Sequence, residues 1–423
     1  MLLALFLRTG ILEYMRYLII IVIVIVAVIA AFMSMDDDLS DQSKSYLNLI
    51  QSRIEQGSEA FFFLYGISAL EGEDPIIKGK ALLAEPQELK NKASSSTNDS
   101  QTLSKPMESN ELYCRFWEDG CFKKVVSASS KWQHEIDSRA TLLSRYKHFF
   151  NYNEFSTLTE PTFFTPLPEY KYLNYANRLQ VFSSLHSAKK GNALEGIKNL
   201  IEDTHLLKRH LALSDDLIYK MILINLISNN LEVIAHIKTV YQIETHLEIP
   251  PLTKAETSLE APMAREFVML YNAYAAIEND PQYLDSEDIQ LPNWLVRLGF
   301  NLNKTANRSA EHFAKIIKLS TIPATEFTNS LQQIQLEQQP DIELDNIIGS
   351  IMNKLVAPNY VEYVARLHDL SCKIALTNHM LSDKKVAINN PYGDAKFSIQ
   401  QSEDITCLDG PLKDKHNLRC LSM

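Results

Sequence analysis

The sequence predicts a mostly all-α protein: an N-terminal transmembrane helix, an irregular multi-helix or α-hairpin body, and a small β-hairpin-like tail. Three observations carry that prediction. Residues 17–33, YLIIIVIVIVAVIAAFM, run for seventeen positions without a charge. Through most of 112–385, apolar residues recur at three- and four-residue intervals. From 386 onward, turn residues flank short β-leaning runs such as KFSIQ and DITCL.

As a helix, the apolar run reaches about 25 Å at 1.5 Å per residue, a little short of a hydrocarbon core of ~30 Å. Tyr17 and Met33 can sit in the interface at its two ends. Arg8 and Arg16 precede the run, whereas MDDDLSD (35–41) follows it with four aspartates and no base. Because Lys and Arg are retained on the cytoplasmic side, residues 1–16 are expected to stay inside and the rest to be exported. That places the chain in a bacterial inner membrane with a periplasmic body. Ala27, Ala30 and Ala31 offer a weak signal-peptidase site, but the run is longer and richer in Ile and Val than an ordinary signal core, which favours an uncleaved anchor. Met15, in MRYLIII, is an alternative start to Met1.

Export bears on the cysteines, because disulfides persist in oxidising compartments. Cys114 and Cys121 enclose RFWEDG, whose Asp119-Gly120 is a turn signal. Zinc would need further ligands, and no second CxxC or His pair lies nearby; redox pairs usually have two intervening residues, not six. A disulfide staple is the expectation, with free thiols as the alternative. Cys407 and Cys420 repeat the pattern around Asp409-Gly410-Pro411. Cys372 remains, either as a buried thiol or as a partner for Cys407 or Cys420.

The periodicity places helices near 42–70, 131–150, 170–189, 192–211, 214–242, 252–279, 293–299, 308–319, 323–335, 343–356 and 359–382. The FFFLY cluster at 61–65 reads as core, and Gly66 as a close helix contact or the start of a bend. In 192–211, Leu194, Ile197, Ile201, Leu207 and Leu211 form a stripe opposite Glu195, Lys198, Glu202 and Lys208. Residues 214–242 are apolar almost all round behind a Ser214-Asp215-Asp216 cap, which predicts the centre of the fold. Residues 86–111, PQELKNKASSSTNDSQTLSKPMESNE, read as a flexible linker separating a membrane-proximal helical segment (34–85) from a main body (112–385), with a stapled tail at 386–423.

Net charge is −11, which argues against a nucleic-acid partner. Only 12 glycines argue against a large β-structure and a phosphate-cradling loop. No nucleophile elbow, P-loop, Rossmann glycine set or zincin motif occurs, so no catalytic residue, cofactor or metal site is assigned. His205 and His210, five residues apart, do not share a helix face and read as satisfied core histidines. His368 and Asp369, adjacent on a helix, face different ways. Glu71, Glu73 and Asp74 read as a solvated turn before Pro75, and Asn303 and Asn307 as capping residues of the next helix. Lys220 is the unusual residue, an ammonium in YKMILIN; Asp216 lies one turn upstream and is its natural partner. A functional lysine of lowered pKa is the alternative to a buried structural pair.

FFFLYGISALEGEDPIIKG (61–79), NYVEYVARLHDL (359–370) and NPYG (390–393), behind one N-terminal span, resemble a group of uncharacterised single-span envelope proteins of proteobacteria. The resemblance implies a location and a helical fold and carries over no functional residues. The leading expectation for function is a non-enzymatic interaction or scaffold role with another envelope protein or component, with no small molecule identified. An envelope hydrolase would instead show a deep pocket of convergent polar groups with shifted pKa values. A structural subunit of a membrane complex would show an exposed apolar patch.

Overall fold

The computed structural model describes residues 16–24, 36–85, 102–103, 105–106, 111–118, 120–284, 291–337, 342–356, 360–382, 388–393, 399–401 and 405–422. Within them the chain is mostly helical, with a single small sheet. Of the apolar run 17–33, positions up to 24 are helical and exposed, and the remainder lies outside the described residues, as do Asp119 and most of the linker 86–111.

Three consecutive long helices form one half of the core: Lys171–Lys189, Ala193–Leu213 and Leu217–Tyr241. Short connections make them antiparallel neighbours. Leu217–Tyr241 is the helix the sequence placed at the centre, and it contacts both predecessors, Val361–Leu381 and the terminal strand. Among the described residues it alone is long and apolar enough to cross a membrane, but 78% of its most apolar window is buried inside the protein. It is a core helix. Asp216 caps it by accepting from the Tyr219 amide at 2.7 Å, while Asp215 turns away to accept from the Thr157 amide and hydroxyl. The second half is built around Glu260–Asn279, which packs on Asp41–Gln56 and Leu302–Thr321.

The membrane-proximal segment is therefore not a separate unit. Tyr46, Ile50, Phe61 and Phe63 belong to the same continuous core as the body, and Tyr46 meets Phe267 at 5.4 Å between ring centroids. Even within the predicted linker, the Leu103 amide donates to Ser68 and its carbonyl accepts from the Tyr172 hydroxyl. Leu103 docks on the body although the residues around it are polar.

The expected helix 42–70 is two helices, Asp41–Gln56 and Glu59–Tyr65, broken at Gly57 (φ 73°) and restarted by the Ser58 hydroxyl, which accepts from the Phe61 amide. A further helix, Pro75–Ala84, was not anticipated: Asp74 caps it and Pro75 opens it, so the residues read as a turn are a helix start. That turn is clamped by buried Arg145, whose guanidinium donates to the carbonyls of Ile67, Ala69, Leu70 and Glu73. Gly66 and Gly79 let the two helices touch backbone to backbone. A Cβ at Gly79 would lie 1.9 Å from the Phe62 carbonyl oxygen, and one at Gly66 would lie 2.0 Å from that of Pro75.

The tail is a three-stranded antiparallel sheet rather than a hairpin, ordered β1 (Ile399–Gln401), β2 (Ile405–Leu408), β3 (Cys420–Ser422). Cys407 and Cys420 face each other across β2 and β3 and are disulfide-bonded. Cys114 and Cys121 form the other disulfide, with Gly120 (φ 73°) turning the chain between them. Cys372 is a buried free thiol, so its pairing with either tail cysteine does not occur.

Gly79→Ala should destabilise the protein by about 1–3 kcal/mol, the range for forced overlap in a packed interior. Urea unfolding of the variant beside the wild type measures it; an unchanged midpoint would mean that the helices separate at no cost.

Candidate functional site

The sequence-predicted candidate does not form a site. Lys220 is buried, but its ammonium donates to the Leu211 carbonyl at 2.7 Å and makes no ion pair with Asp216. Asp216 is occupied by its own helix cap and by the Tyr170 hydroxyl at 3.5 Å. Lys220 thus sits at the C-terminal end of Ala193–Leu213, where carbonyls lack helical partners and a cation is favoured. Burial lowers its pKa to about 7.

Other candidates also settle as structure. His210 is a satisfied core residue, its ring nitrogens bonded to the Tyr219 hydroxyl and the Tyr152 carbonyl, and burial lowers its pKa to about 3. His205, in contrast, is exposed. Lys208 and Leu194 exchange their expected places. Lys208 is buried beneath Pro250, Pro251 and Glu256, while Leu194 points outward. His368 and Asp369 diverge as expected: His368 meets the Leu319 carbonyl, and Asp369 accepts from the Tyr392 hydroxyl at 2.6 Å beside Arg419. Asn303 and Asn307 lie inside Leu302–Thr321 and bind the 36–43 segment instead of capping.

What the sequence did not reveal is a cavity of about 580 Å³ between five segments. One wall is the face of Lys171–Lys189 that carries Lys171, Asn174, Tyr175 and Arg178, spaced for a single helix side. Facing it, Leu217–Tyr241 presents Ile218, Met221, Ile222, Asn225 and Asn229. Tyr363 and Arg366 come from Val361–Leu381, and both disulfide-stapled regions reach the rim: Arg115, Phe116 and Trp117 from one, His416 and Leu418 from the other. Trp117 and His416 meet edge to face at 5.4 Å, joining the two.

The charges are one-sided. No Asp or Glu lines the cavity among the described residues, although the chain as a whole carries −11. Arg178 is the extreme case. Its guanidinium is buried, donates to the carbonyls of Leu112 and Cys114 at 2.8 and 2.9 Å, and lies 3.7 Å from the centre of the Phe116 ring. Its Nε has no partner, and no carboxylate pairs with it among the described residues. Burial lowers its pKa to about 9, with Tyr113 offsetting part of the lost hydration. Arg366 stacks on Tyr363 and Arg115 on Trp117, and neither makes an ion pair among the described residues. His416 has its pKa lowered by burial and then by Arg366. Lys171 differs, being exposed and paired with Glu169.

Behind the polar wall, Asn225 donates to Asn174 and Asn229 to Asn177. Asn177 then donates to Asn230, and Asn230 to Asp203, which also accepts from the Tyr146 hydroxyl. Burial raises Asp203 to about 6. This ladder ties the three helices together in one register, with Tyr146 and Thr204 as further partners of Asn177 and Asn230. The rim is fixed likewise. Glu232 and Lys373, both buried, pair at 2.9 Å, and Lys373 also donates to the Asn417 carbonyl, between the lining residues His416 and Leu418.

The signals were present but weak: Asn225, Asn229 and Asn230 interrupt an apolar helix, and Arg178 sits amid the apolar residues of YANRLQVF. Polar groups so placed need buried partners. Compared with protein-family models, curated proteins and solved structures, the chain matches none.

Lys220 supplies a pH test. Its folded pKa is depressed, so between about pH 7.5 and 9.5 the unfolded chain binds the extra proton and stability rises with pH. Lys220→Met should fold and lose that rise, a difference in slope of up to about 1.4 kcal/mol per pH unit. Urea unfolding across that window reads it; parallel slopes would show Lys220 charged in the folded state.

Proposed function

We propose that the chain is a membrane-anchored binding protein of the bacterial envelope. In this reading residues 17–33 are the anchor, the N-terminus is cytoplasmic, and the helical body stands in the periplasm. Its site is the cavity, and its ligand carries an anionic group on an apolar or aromatic body. The observation that carries this is Arg178, a buried guanidinium without a carboxylate, beside Arg366 and Arg115 in a cavity whose described lining holds no acid. An anion entering there gains charge-assisted hydrogen bonds. The remaining walls, Ile218, Met221, Ile222 and the aromatic rings, take up the apolar part.

The hydrolase reading shares the cavity and its shifted pKa values but finds no nucleophile–base pair among the described lining residues. Among the described lining residues His416 is the one ordinary general base, and its nearest ring neighbour is Trp117. Tyr113 donates a hydrogen bond to Glu135 at 2.8 Å, and burial holds its pKa far above the usual range, so it keeps its proton. No serine or free thiol completes a nucleophile–base pair among the lining residues described. These groups bind charge.

Anilinonaphthalene sulfonate, an aromatic anion, is a suitable probe. It should bind at one site per chain, and the double variant Arg115→Gln/Arg366→Gln should weaken it at least about tenfold. Phenylnaphthylamine, the analogue without sulfonate, should bind the wild type no more tightly than the variant. Fluorescence titration decides it; equal affinity for the two dyes, or no saturable site, would overturn the proposal. Arg178 is left intact because its two backbone bonds hold the 112–114 segment in place.

A further inference from the structure

The segment that follows the apolar run is not a tether. Asp36 accepts from the backbone amides of Asn303 and Lys304 at 2.8 and 3.1 Å, so its carboxylate sits on the N-terminus of Leu302–Thr321, where a negative charge is favoured. The side-chain amide of Asn303 donates to the Asp37 carbonyl, and that of Asn307 to the Asp38 carbonyl. In return the Ser40 amide and Ser43 hydroxyl donate to Asn307 Oδ1. Only two residues separate Met33, the end of the run, from Asp36. Three residue steps of extended chain span at most about 10 Å. If 17–33 crosses the membrane, the start of Leu302–Thr321 lies that close to the membrane boundary.

Beside the charged groups at that point, the neighbouring elements expose several large apolar side chains. Asn293–Gly299 exposes Trp294 (65%) and Leu295, and the adjacent 3-10 turn Pro281–Leu284 exposes Tyr283. Residues 342–355 wrap the first turn of Leu302–Thr321 through Lys304–Asp345 and Asn301–Asn346 contacts and expose Leu344 (78%), with Ile351 and Leu355 (79%) one helical turn apart. These elements touch one another. Large apolar residues concentrated in this way mark an interaction surface. Trp and Tyr are enriched at membrane–water interfaces.

We propose that this face, carrying Tyr283, Trp294, Leu295, Leu344, Ile351 and Leu355, is seated in the headgroup region of the bilayer that holds the anchor. The body then lies on the membrane in a fixed attitude. The inference rests on reading 17–33 as a transmembrane anchor, and its test separates the two.

Leu355→Cys in the full chain provides a single reactive thiol among the described residues, because four cysteines are in disulfides and Cys372 is buried. A nitroxide placed there, in vesicles of phosphatidylethanolamine and phosphatidylglycerol, reports collisions with oxygen, which partitions into lipid, and with a water-soluble nickel chelate. Lys124→Cys, on an exposed position, gives the aqueous reference, and Leu344→Cys guards against a local disturbance. The label at 355 should favour oxygen over nickel several-fold more than the label at 124 does, in protein that floats with the vesicles. Flotation with a water-like signal at 355 and 344 would overturn the membrane-seated face and leave the anchor standing. Dipolar broadening between labels would replace the bilayer with a second copy of the chain. Failure to float would remove the anchor, and this inference with it.

Discussion

A helix with apolar side chains on nearly every face has to be enclosed. Leu217–Tyr241 is such a helix, and the rest of this half of the molecule is arranged to cover it: Lys171–Lys189 and Ala193–Leu213 on one side, Val361–Leu381 and the terminal strand on the other. Burying one large aliphatic side chain stabilises by about 1.5–3 kcal/mol. Leu223, Leu226, Ile227, Leu231, Val233, Ile234 and Ile237 are all buried along this helix, so the sum dominates any single polar contact nearby. The asparagines, by contrast, set the register. Asn229 and Asn230 find their partners where Asn177, Asp203 and Thr204 stand opposite them.

The cavity is the part of this enclosure that stays open. Its floor is the face of the central helix that carries Ile218, Met221 and Ile222 with Asn225 and Asn229, and its rim consists of two segments, each held by a disulfide. The tail is pinned a second time by the Glu232–Lys373 pair, which reaches through to Asn417. A buried ion pair of this kind costs desolvation, and its contribution here is to orientation more than to net stability. Arg178 extends the same logic to an unpaired charge. The fold keeps a guanidinium dry with carbonyl partners alone, which lowers its pKa and makes an anion the natural complement of the site.

The helices and the disulfides were legible because they depend on local signals. Periodicity located the trio from 171 to 241 within one to three residues of its ends, and Asp-Gly turns between cysteines marked both staples. Errors arose where a distant segment intervened. Lys208 belonged to the charged face of its own helix until the 250–256 loop covered it, and Asp216 was taken by its cap before Lys220 could reach it. Pro75–Ala84 escaped notice because a proline after acidic residues serves equally as a turn and as a helix start. The cavity was least legible. It joins five segments spread from 113 to 418, and its main sequence trace is three asparagines and one arginine in apolar surroundings.

The most direct test of the account is native mass spectrometry of the full chain released from its own membranes in gentle detergent, with no ligand added. One bound molecule per chain, ionising as an anion, is expected to be retained by the wild type and lost from the Arg115→Gln/Arg366→Gln variant. A bound cation or neutral molecule, or an anion held equally by the variant, would contradict the assignment of the cavity as an anion-binding site.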